Sequence, residues 1–357
     1  MKKLSLFNVF VLILNNLFAL ALLTSYVAWF INPSKLPVAG VVALGVPVLM
    51  GINLLFVLYW IILRKRQFFL STFCLLLGWW HFNALYQFSP SNKAKENSEF
   101  IRVMSYNVHH YYAAFTWAKT YAKVEDMVAL INETDPDIFC VQEFQSAKKW
   151  VPQERLKYKV VSNHVSTHLA IFSKYPIIHS DEVYFPAKKE EYDKFLYADI
   201  LIKQDTLRVI TAHLESIGLN NKDLQTFTQI ENADEEKVKR SGKIIYDRLL
   251  QGYKERGVQV NSLADFISES PYPVILCGDF NDTPTSFAYK KLTSQLSDSY
   301  VLAGSGINAT HTRFDHYHIP MRIDHILADK KLTPHNWQVI KKDYSDHYPV
   351  VVDYDLK

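Results

Sequence analysis

The chain has 357 residues, enough for one large domain or two ordinary ones, and carries 39 Lys and Arg against 36 Asp and Glu. Its first 90 residues contain no acidic residue and six basic ones, Lys2, Lys3, Lys35, Arg64, Lys65 and Arg66; removing those six leaves 33 basic against 36 acidic residues. A slightly acidic remainder excludes a broadly basic nucleic-acid binder, although a local basic patch can hide in a neutral total. The three cysteines, Cys74, Cys140 and Cys277, lack metal-ligand spacing and so exclude a zinc module or a disulfide framework. Cys140 and Cys277 fall inside predicted strands as small hydrophobes, with a single bridge between them left open.

The opening region reads as membrane-spanning. Residues 7–31 and 36–63 are uncharged, and each exceeds the roughly 20 residues that cross a hydrocarbon core. Residues 68–88 form a third apolar run that includes His81, Asn83 and Gln87, with Trp79, Trp80, Tyr86 and Phe88 suited to an interfacial aromatic belt. Two spans bring Lys2-Lys3 and Arg64-Lys65-Arg66 to one face, which the positive-inside rule assigns to the cytoplasm. A third span carries everything after residue 90 across. The expectation is a multi-pass protein of the inner (cytoplasmic) membrane with an extracytoplasmic C-terminal domain; without the third span that domain is cytoplasmic. A cleaved signal peptide ending near Ala19-Leu20-Ala21 is the alternative for the first run, and the two later runs argue against it.

A polar linker covers residues 91–99, and one α/β domain of short strands and amphipathic helices is predicted over 100–357. In chain order the pattern predicts a strand over 101–107, with Ile101, Val103, Ser105 and Asn107 on one face, then a helix from about 121 to 133 striped by Val124, Met127, Val128 and Ile131. Asp135-Pro136 stops that helix. Further strands are predicted over 138–142, 169–173, 198–202 and 207–212, helix over 235–253 and 258–268, strand over 273–277, a short helix over 286–294, and last strands over 323–328 and 350–354.

Polar side chains cluster at the ends of these apolar runs. Taken singly, Glu143 is a solvated strand end, Asn107 is turn chemistry and His213 is a satisfied core histidine. The segment Gly278-Asp279-Phe280-Asn281-Asp282-Thr283-Pro284 is harder to dismiss. Asp279 and Asn281 share a face if extended, and Gly278 permits close backbone approach. An imidazole such as His347 accepts a proton best when a carboxylate fixes its tautomer.

Together the segments 104–108 (Met-Ser-Tyr-Asn-Val), 141–143 (Val-Gln-Glu), 211–214 (Thr-Ala-His-Leu), 278–282, 322–325 (Arg-Ile-Asp-His) and 345–350 (Ser-Asp-His-Tyr-Pro-Val) resemble, in order and spacing, the endonuclease/exonuclease/phosphatase superfamily with its DNase I-like fold. The resemblance implies a four-layer α/β sandwich, two mostly antiparallel sheets with helices outside. It implies a divalent metal, Mg²⁺ or Mn²⁺, held by Glu143, Asn107 and Asp346, with Asn107 also orienting Glu143. It makes His347 the general base with Asp324 as its orienting partner, lets Asp279 position water or metal, and puts His213 and Asn281 on the scissile phosphate. Some relatives carry Asp where this chain has His109, which puts a second metal contribution from the first strand in doubt and leaves His109 as a phosphate contact.

Arg322, His325 and the turn at 173–176 (Ser-Lys-Tyr-Pro) are expected to be structural. His311, His316 and His318 belong to a substrate loop, and residues 220–240 to a lid or surface helix. The expected activity is metal-dependent hydrolysis of phosphate esters by a membrane-anchored phosphodiesterase, on a lipid headgroup or other extracytoplasmic substrate. The alternatives are a nuclease and a catalytically inactive membrane-anchored binding module. Expected partners are a phosphate-ester substrate (lipid headgroup, small phosphodiester or nucleic acid) and the bilayer, with no obligate protein partner.

Overall fold

The structure is a computed structural model that describes residues 4–88, 92, 99–111, 123–144, 155–163, 168–186, 194–217, 235–312 and 319–355. The chain divides into two compact units, one of Met1–Leu85 with Ser216–Gly257 and Pro284–Lys290, the other of Tyr86–Glu215 with Val258–Thr283 and Lys291–Lys357.

Among the described residues the first unit holds five apolar helices: α1 (Leu6–Val27), α2 (Val38–Leu44), α3 (Val46–Ile62), α4 (Phe68–Leu77) and α5 (Trp79–Leu85). Ser5 caps α1 by accepting the Asn8 N–H at 3.3 Å. The apolar stretch Leu6–Phe30 runs 25 residues, about 37 Å at 1.5 Å per residue, which exceeds a hydrocarbon core of about 30 Å. Leu6, Phe7, Ile62 and Trp80 are among the large apolar side chains that stay exposed, as lipid-facing residues would.

The expectation of three continuous spans is corrected here. Among the described residues one helix is long and apolar enough to cross, and up to three spans exist only if each bent pair counts as one. α2 and α3 meet at 46°, and α4 and α5 at 65°. At the first break Pro47, in the opening turn of α3, lacks the N–H needed to continue the ladder. At the second, Gly78 lets the Tyr26 ring approach where a Cβ would overlap it.

Among the described residues the second unit contains twelve strands: β1 (Phe100–Asn107), β2 (Ile138–Phe144), β3 (Tyr158–Val161), β4 (His168–Ser173), β5 (Ile177–Tyr184), β6 (Lys194–Ile202), β7 (Asp205–His213), β8 (Val274–Asp279), β9 (Ser297–Asp298), β10 (Asp324–Ala328), β11 (Pro334–Val339) and β12 (Val350–Asp355). They form two six-stranded sheets, ordered β11-β12-β1-β2-β4-β3 and β5-β6-β7-β8-β10-β9. Pairing is mostly antiparallel, with β1–β2 and β7–β8 parallel. The helices are α6 (Val124–Thr134), α7 (Glu235–Ser268, which begins in the first unit and ends in this one), α8 (Phe287–Thr293, likewise shared) and α9 (Ser299–Ala303).

Period-two alternation builds the core. Ile101 and Val103 of β1 join Ile138, Cys140, Val209, Ile275, Cys277 and Ile326 in the main buried cluster, while Met104 and Tyr106 join Met127 and Ile131 of α6 in a second one. The first sheet is therefore buried on both faces. Cys140 and Cys277 are buried and free, so the bridge left open by the sequence is absent.

Candidate functional site

Strand register assembles the polar side chains. On the second sheet His213 pairs with Asp279 across β7–β8, and Asp279 pairs with Asp324 across β8–β10, so three strands deliver three functional groups side by side. Parallel β7 and β8 contribute C-terminal ends, and antiparallel β10 contributes its N-terminal end. Gly278 makes the β7–β8 approach possible, because a Cβ there would overlap the Ala212 carbonyl oxygen. On the first sheet Asn107 pairs with Gln142.

Gln142 points into the core, where Nε2 donates to Thr211 Oγ1 at 2.8 Å and Ser105 Oγ at 3.3 Å. Simple alternation would send Glu143 to the opposite face. A register shift between Val141 and Phe144, with Glu143 at φ 53°, turns it back toward Asn107.

The eight residues expected from the sequence lie within one connected network. Asn107 Nδ2 donates to Glu143 Oε1 at 3.1 Å and Asp279 Oδ2 at 3.2 Å. Asn107 Oδ1 accepts the His109 N–H at 3.0 Å, so this amide holds the two carboxylates apart from each other. His213 Nε2 lies 3.7 Å from Glu143 and 3.6 Å from Asp279. His347 Nδ1 donates to Asp324 Oδ2 at 2.9 Å, which turns Nε2 toward Asp279 Oδ2 at 3.5 Å. Asp346 enters through His109, whose Nδ1 is 3.3 Å from Asp346 Oδ2 and 3.5 Å from Glu143 Oε2.

Asn281 departs from the extended geometry expected of it. It sits at φ 51°, donates its backbone N–H to Asp279 Oδ1 at 2.8 Å and its side-chain amide to Leu214 O at 2.9 Å. His109 likewise lies between two carboxylates rather than standing alone as a phosphate contact. His316 and His318, and the 220–234 part of the expected lid, lie outside the described residues. His311 forms a backbone bridge with His347, and its ring packs on the His347 ring at 4.8 Å.

Positioning groups without a sequence signal surround the site. Thr310 Oγ1 accepts the N–H groups of both Ile323 and Asp324 at 3.0 Å. Ser345 Oγ donates to Asn107 O at 2.8 Å and accepts the His347 N–H at 3.3 Å. Arg322 and His325 take the structural part expected: Arg322 pairs with Asp298 at 2.8 Å and donates to His325 Nδ1, while His325 Nε2 donates to the Asp282 carbonyl. Burial, then Arg322, lowers the His325 pKa to about 3, so this imidazole stays neutral.

The electrostatics divide floor from mouth. Asp279, Asp324 and His347 are buried, whereas Glu143 and Asp346 face a more open rim. Burial, with Asp324 adding to it, pushes Asp279 up to about 6 against the opposing pull of His347 and His213. His347 is pulled down by burial but more strongly up by Asp324 and Asp279, ending well above the ordinary value. Burial would raise Glu143 too, yet the His109 and His213 imidazoles and Asn107 hold it below the usual carboxylate range.

The donor set fits a divalent cation. Two carboxylates, Glu143 and Asp346, converge on His109 from either side, and the buried Asp324 Oδ1 has no hydrogen-bond partner among the described residues. His311, Asp346 and His347, and separately Asp279, Asp324 and His347, also offer ligand atoms within 4.8 Å of one another.

The profile of the family described as "Endonuclease/Exonuclease/phosphatase family" matches residues 104–347, more than half of the chain. The chain belongs to that family. A second profile, "Domain of unknown function (DUF8431)", matches residues 8–85. In Drosophila melanogaster, Recombination repair protein 1 is 26% identical over 187 residues, 51% of this chain; the chain spans about a fifth (22%) of that relative's length. Among solved structures, the chain is similar to a humanized D. rerio TDP2 (TM-score 0.53, 16% identity, 72% of this chain and 99% of that one). It is also similar to an endonuclease/exonuclease/phosphatase family protein from Bacteroides thetaiotaomicron (TM-score 0.50, 18% identity, 73% and 100%). At such identities these likenesses show the fold: the four-layer sandwich expected of an endonuclease/exonuclease/phosphatase member, whose family chemistry is phosphoester hydrolysis.

Proposed function

We propose that the protein is a membrane-anchored, divalent-metal-dependent phosphodiesterase. The observation that carries this reading is the buried relay Asp324–His347–Asp279, with 2.9 Å between Asp324 and His347 Nδ1 and 3.5 Å from Nε2 to Asp279. Asp324 orients the His347 ring, and once the imidazolium has given up its Nε2 proton that nitrogen accepts the proton of the attacking water. Asp279 orients that water. His213 and the Asn281 amide face the phosphate and donate to its oxygens as charge develops. Glu143 and Asp346, with Asn107 fixing Glu143, would hold Mg²⁺ or Mn²⁺, which when bound neutralises phosphate and leaving-group oxygens.

The apolar helices of residues 6–85 support anchoring in the inner membrane, and with each bent pair counted as one span the charge asymmetry of the sequence supports an extracytoplasmic domain. A lipid headgroup or another extracytoplasmic phosphodiester suits that location and the non-basic domain better than chromosomal DNA. Purified full-length protein is expected to hydrolyse a generic aryl phosphodiester and to lose that activity with chelator. His347→Ala and Glu143→Gln should each cost about 10²- to 10⁴-fold in kcat. Full activity in either variant overturns the reading. Parallel assays on phospholipid headgroups and plasmid DNA separate the lipid from the nuclease reading.

A further inference from the structure

An aromatic stack in the first unit carries polar atoms that the apolar helices around it leave unanswered. His81 of α5 lies between two rings, its centre 3.8 Å from that of Trp29 and 4.6 Å from that of Tyr26, at interplanar angles of 27° and 28°. All three side chains are more than nine-tenths buried. Yet Trp29 Nε1, the Tyr26 hydroxyl and both ring nitrogens of His81 have no hydrogen-bond partner among the described residues. Such atoms cost free energy in apolar surroundings, and several on one stack call for a ligand. Elsewhere in the same unit the cost is avoided, as where Trp60 Nε1 donates to Asn15 Oδ1 at 2.8 Å.

The chemistry of the four atoms selects the ligand. The indole N–H and the phenol O–H donate, and a neutral imidazole supplies one further N–H and one acceptor. Near-parallel stacking at these spacings keeps the polar atoms of adjacent rings within a few ångströms of one another. The Lys290 ammonium of α8 adds positive charge, 5.1 Å from the Trp29 ring centre and 5.9 Å from that of Phe30. No acidic residue occurs among residues 1–90 to neutralise it. Three donors beside a cation suit a compact anion with several acceptor oxygens, which describes a phosphate group.

Position names the source of that phosphate. Trp29 and Phe30 end the 25-residue apolar stretch Leu6–Phe30, and Phe30, Trp79 and Trp80 stay exposed. Aromatic side chains at the end of a span belong to the membrane–water interface, the depth at which lipid phosphates lie. We propose that Tyr26, Trp29 and His81, with Lys290 beside them, bind the phosphate group of an anionic phospholipid, whose headgroup hydroxyl donates to the remaining imidazole nitrogen. This rests on the reading of residues 6–85 as a membrane anchor.

The test is thermal unfolding of the full-length protein in lipid-free detergent with chelator, titrated with short-chain phosphatidylglycerol and, separately, with inorganic phosphate. Phosphatidylglycerol is expected to raise Tm by several degrees, and inorganic phosphate at the same concentration to leave it unchanged. The double variant Tyr26→Phe/His81→Phe keeps the three stacked rings and removes three of the four polar atoms. It should bind phosphatidylglycerol at least about 10-fold more weakly. Affinity within twofold of wild type in that variant overturns the proposal. So does a wild-type Tm that phosphatidylglycerol does not move, which needs no variant to be folded. Equal stabilisation by inorganic phosphate assigns the site to the free anion and overturns the lipid assignment. Recovery of the expressed protein in the soluble fraction without detergent is a different outcome: it sinks the anchoring reading itself.

Discussion

Each unit holds a buried polar network, and the two networks differ in kind. Between α1, α3 and α4 of the first unit, Trp60 Nε1 donates to Asn15 Oδ1 at 2.8 Å, Asn15 Nδ2 to Ser71 Oγ at 2.6 Å, and Ser71 Oγ to Asn53 Oδ1 at 2.8 Å. Asn53 Nδ2 then donates to the Phe18 and Leu49 carbonyls. Every member is neutral and the chain of bonds ends on backbone carbonyls, which is how apolar surroundings tolerate polar groups. At the site in the second unit the buried groups ionise, three carboxylates crowd Asn107 and His347, and Asp324 Oδ1 lacks a partner among the described residues. A self-satisfied network holds helices together.

The largest expected effect breaks the incomplete network where it is most ordered. Asp324→Asn replaces the acceptor that fixes His347 Nδ1–H by an amide, and kcat on an aryl phosphodiester should fall about 10²- to 10⁴-fold with the fold intact by circular dichroism. A kcat within threefold of wild type would show that His347 needs no orienting carboxylate.

Asp279 sharpens the comparison through pH. Its carboxyl is held near 6 by burial, above the ordinary 3.8. Between those values the native state binds more protons than the unfolded chain, so this group's contribution to stability is greatest below about pH 4 and is lost as pH rises through about 6. Activity that needs the ionised carboxylate moves oppositely, with kcat/KM falling as pH drops through about 6. Asp279→Asn should therefore lower kcat about 10²-fold and yet stabilise the metal-free protein at pH 7, with the gain shrinking toward pH 4. A variant that is less stable than wild type at pH 7 contradicts the raised carboxyl.

Asn15→Leu tests the other side. It strands Trp60 Nε1 and removes the donor to Ser71, and should cost about 1–3 kcal/mol of stability in detergent while leaving kcat unchanged. Loss of activity at constant stability would mean that the neutral network does more than hold helices.

Legibility followed burial. The strands foreseen over 101–107, 138–142, 207–212 and 273–277 are interior strands whose apolar runs have no other explanation. The strands with no counterpart in the sequence reading, β3, β5, β9 and β11, are the four sheet edges, where one side is polar or solvated and the alternation is diluted. In β5 the run His179-Ser-Asp-Glu182 reads as loop because only pairing with β6 makes it a strand.

In the site, side chains at the ends of apolar runs were legible only as a set, because each taken singly has an ordinary structural explanation; strand register makes His213, Asp279 and Asp324 neighbours. The bulge that re-aims Glu143, the left-handed turn at Asn281 and the carboxylate-facing His109 were not, because each depends on φ values that sequence alone does not express. Likewise, long apolar runs were read as straight spans because composition gives length but not the bends at Pro47 and Gly78.

The smallest expected effect belongs to Thr310, which is neither reactive nor part of a closed network. It is buried, and its hydroxyl oxygen accepts two successive backbone N–H groups, those of Ile323 and Asp324, at the entry to β10. Its own carbonyl accepts the Tyr348 N–H at 2.7 Å, tying the same loop to the residue after His347. Thr310→Val keeps the shape and removes the acceptor, leaving buried donors unpaired at a cost of about 1–2 kcal/mol. Because those donors set where the Asp324 carboxylate stands relative to His347, kcat should fall by about tenfold, less than the roughly 10²-fold that a full 1 Å misplacement brings. The pH at which kcat/KM falls should stay where it is, since no titrating group is altered. Thr310→Ser, which restores the acceptor, should recover most of the rate. If Ser fails to rescue while Tm returns, the hydroxyl serves the fold alone, and the ordering of the site rests on the β8–β10 register instead.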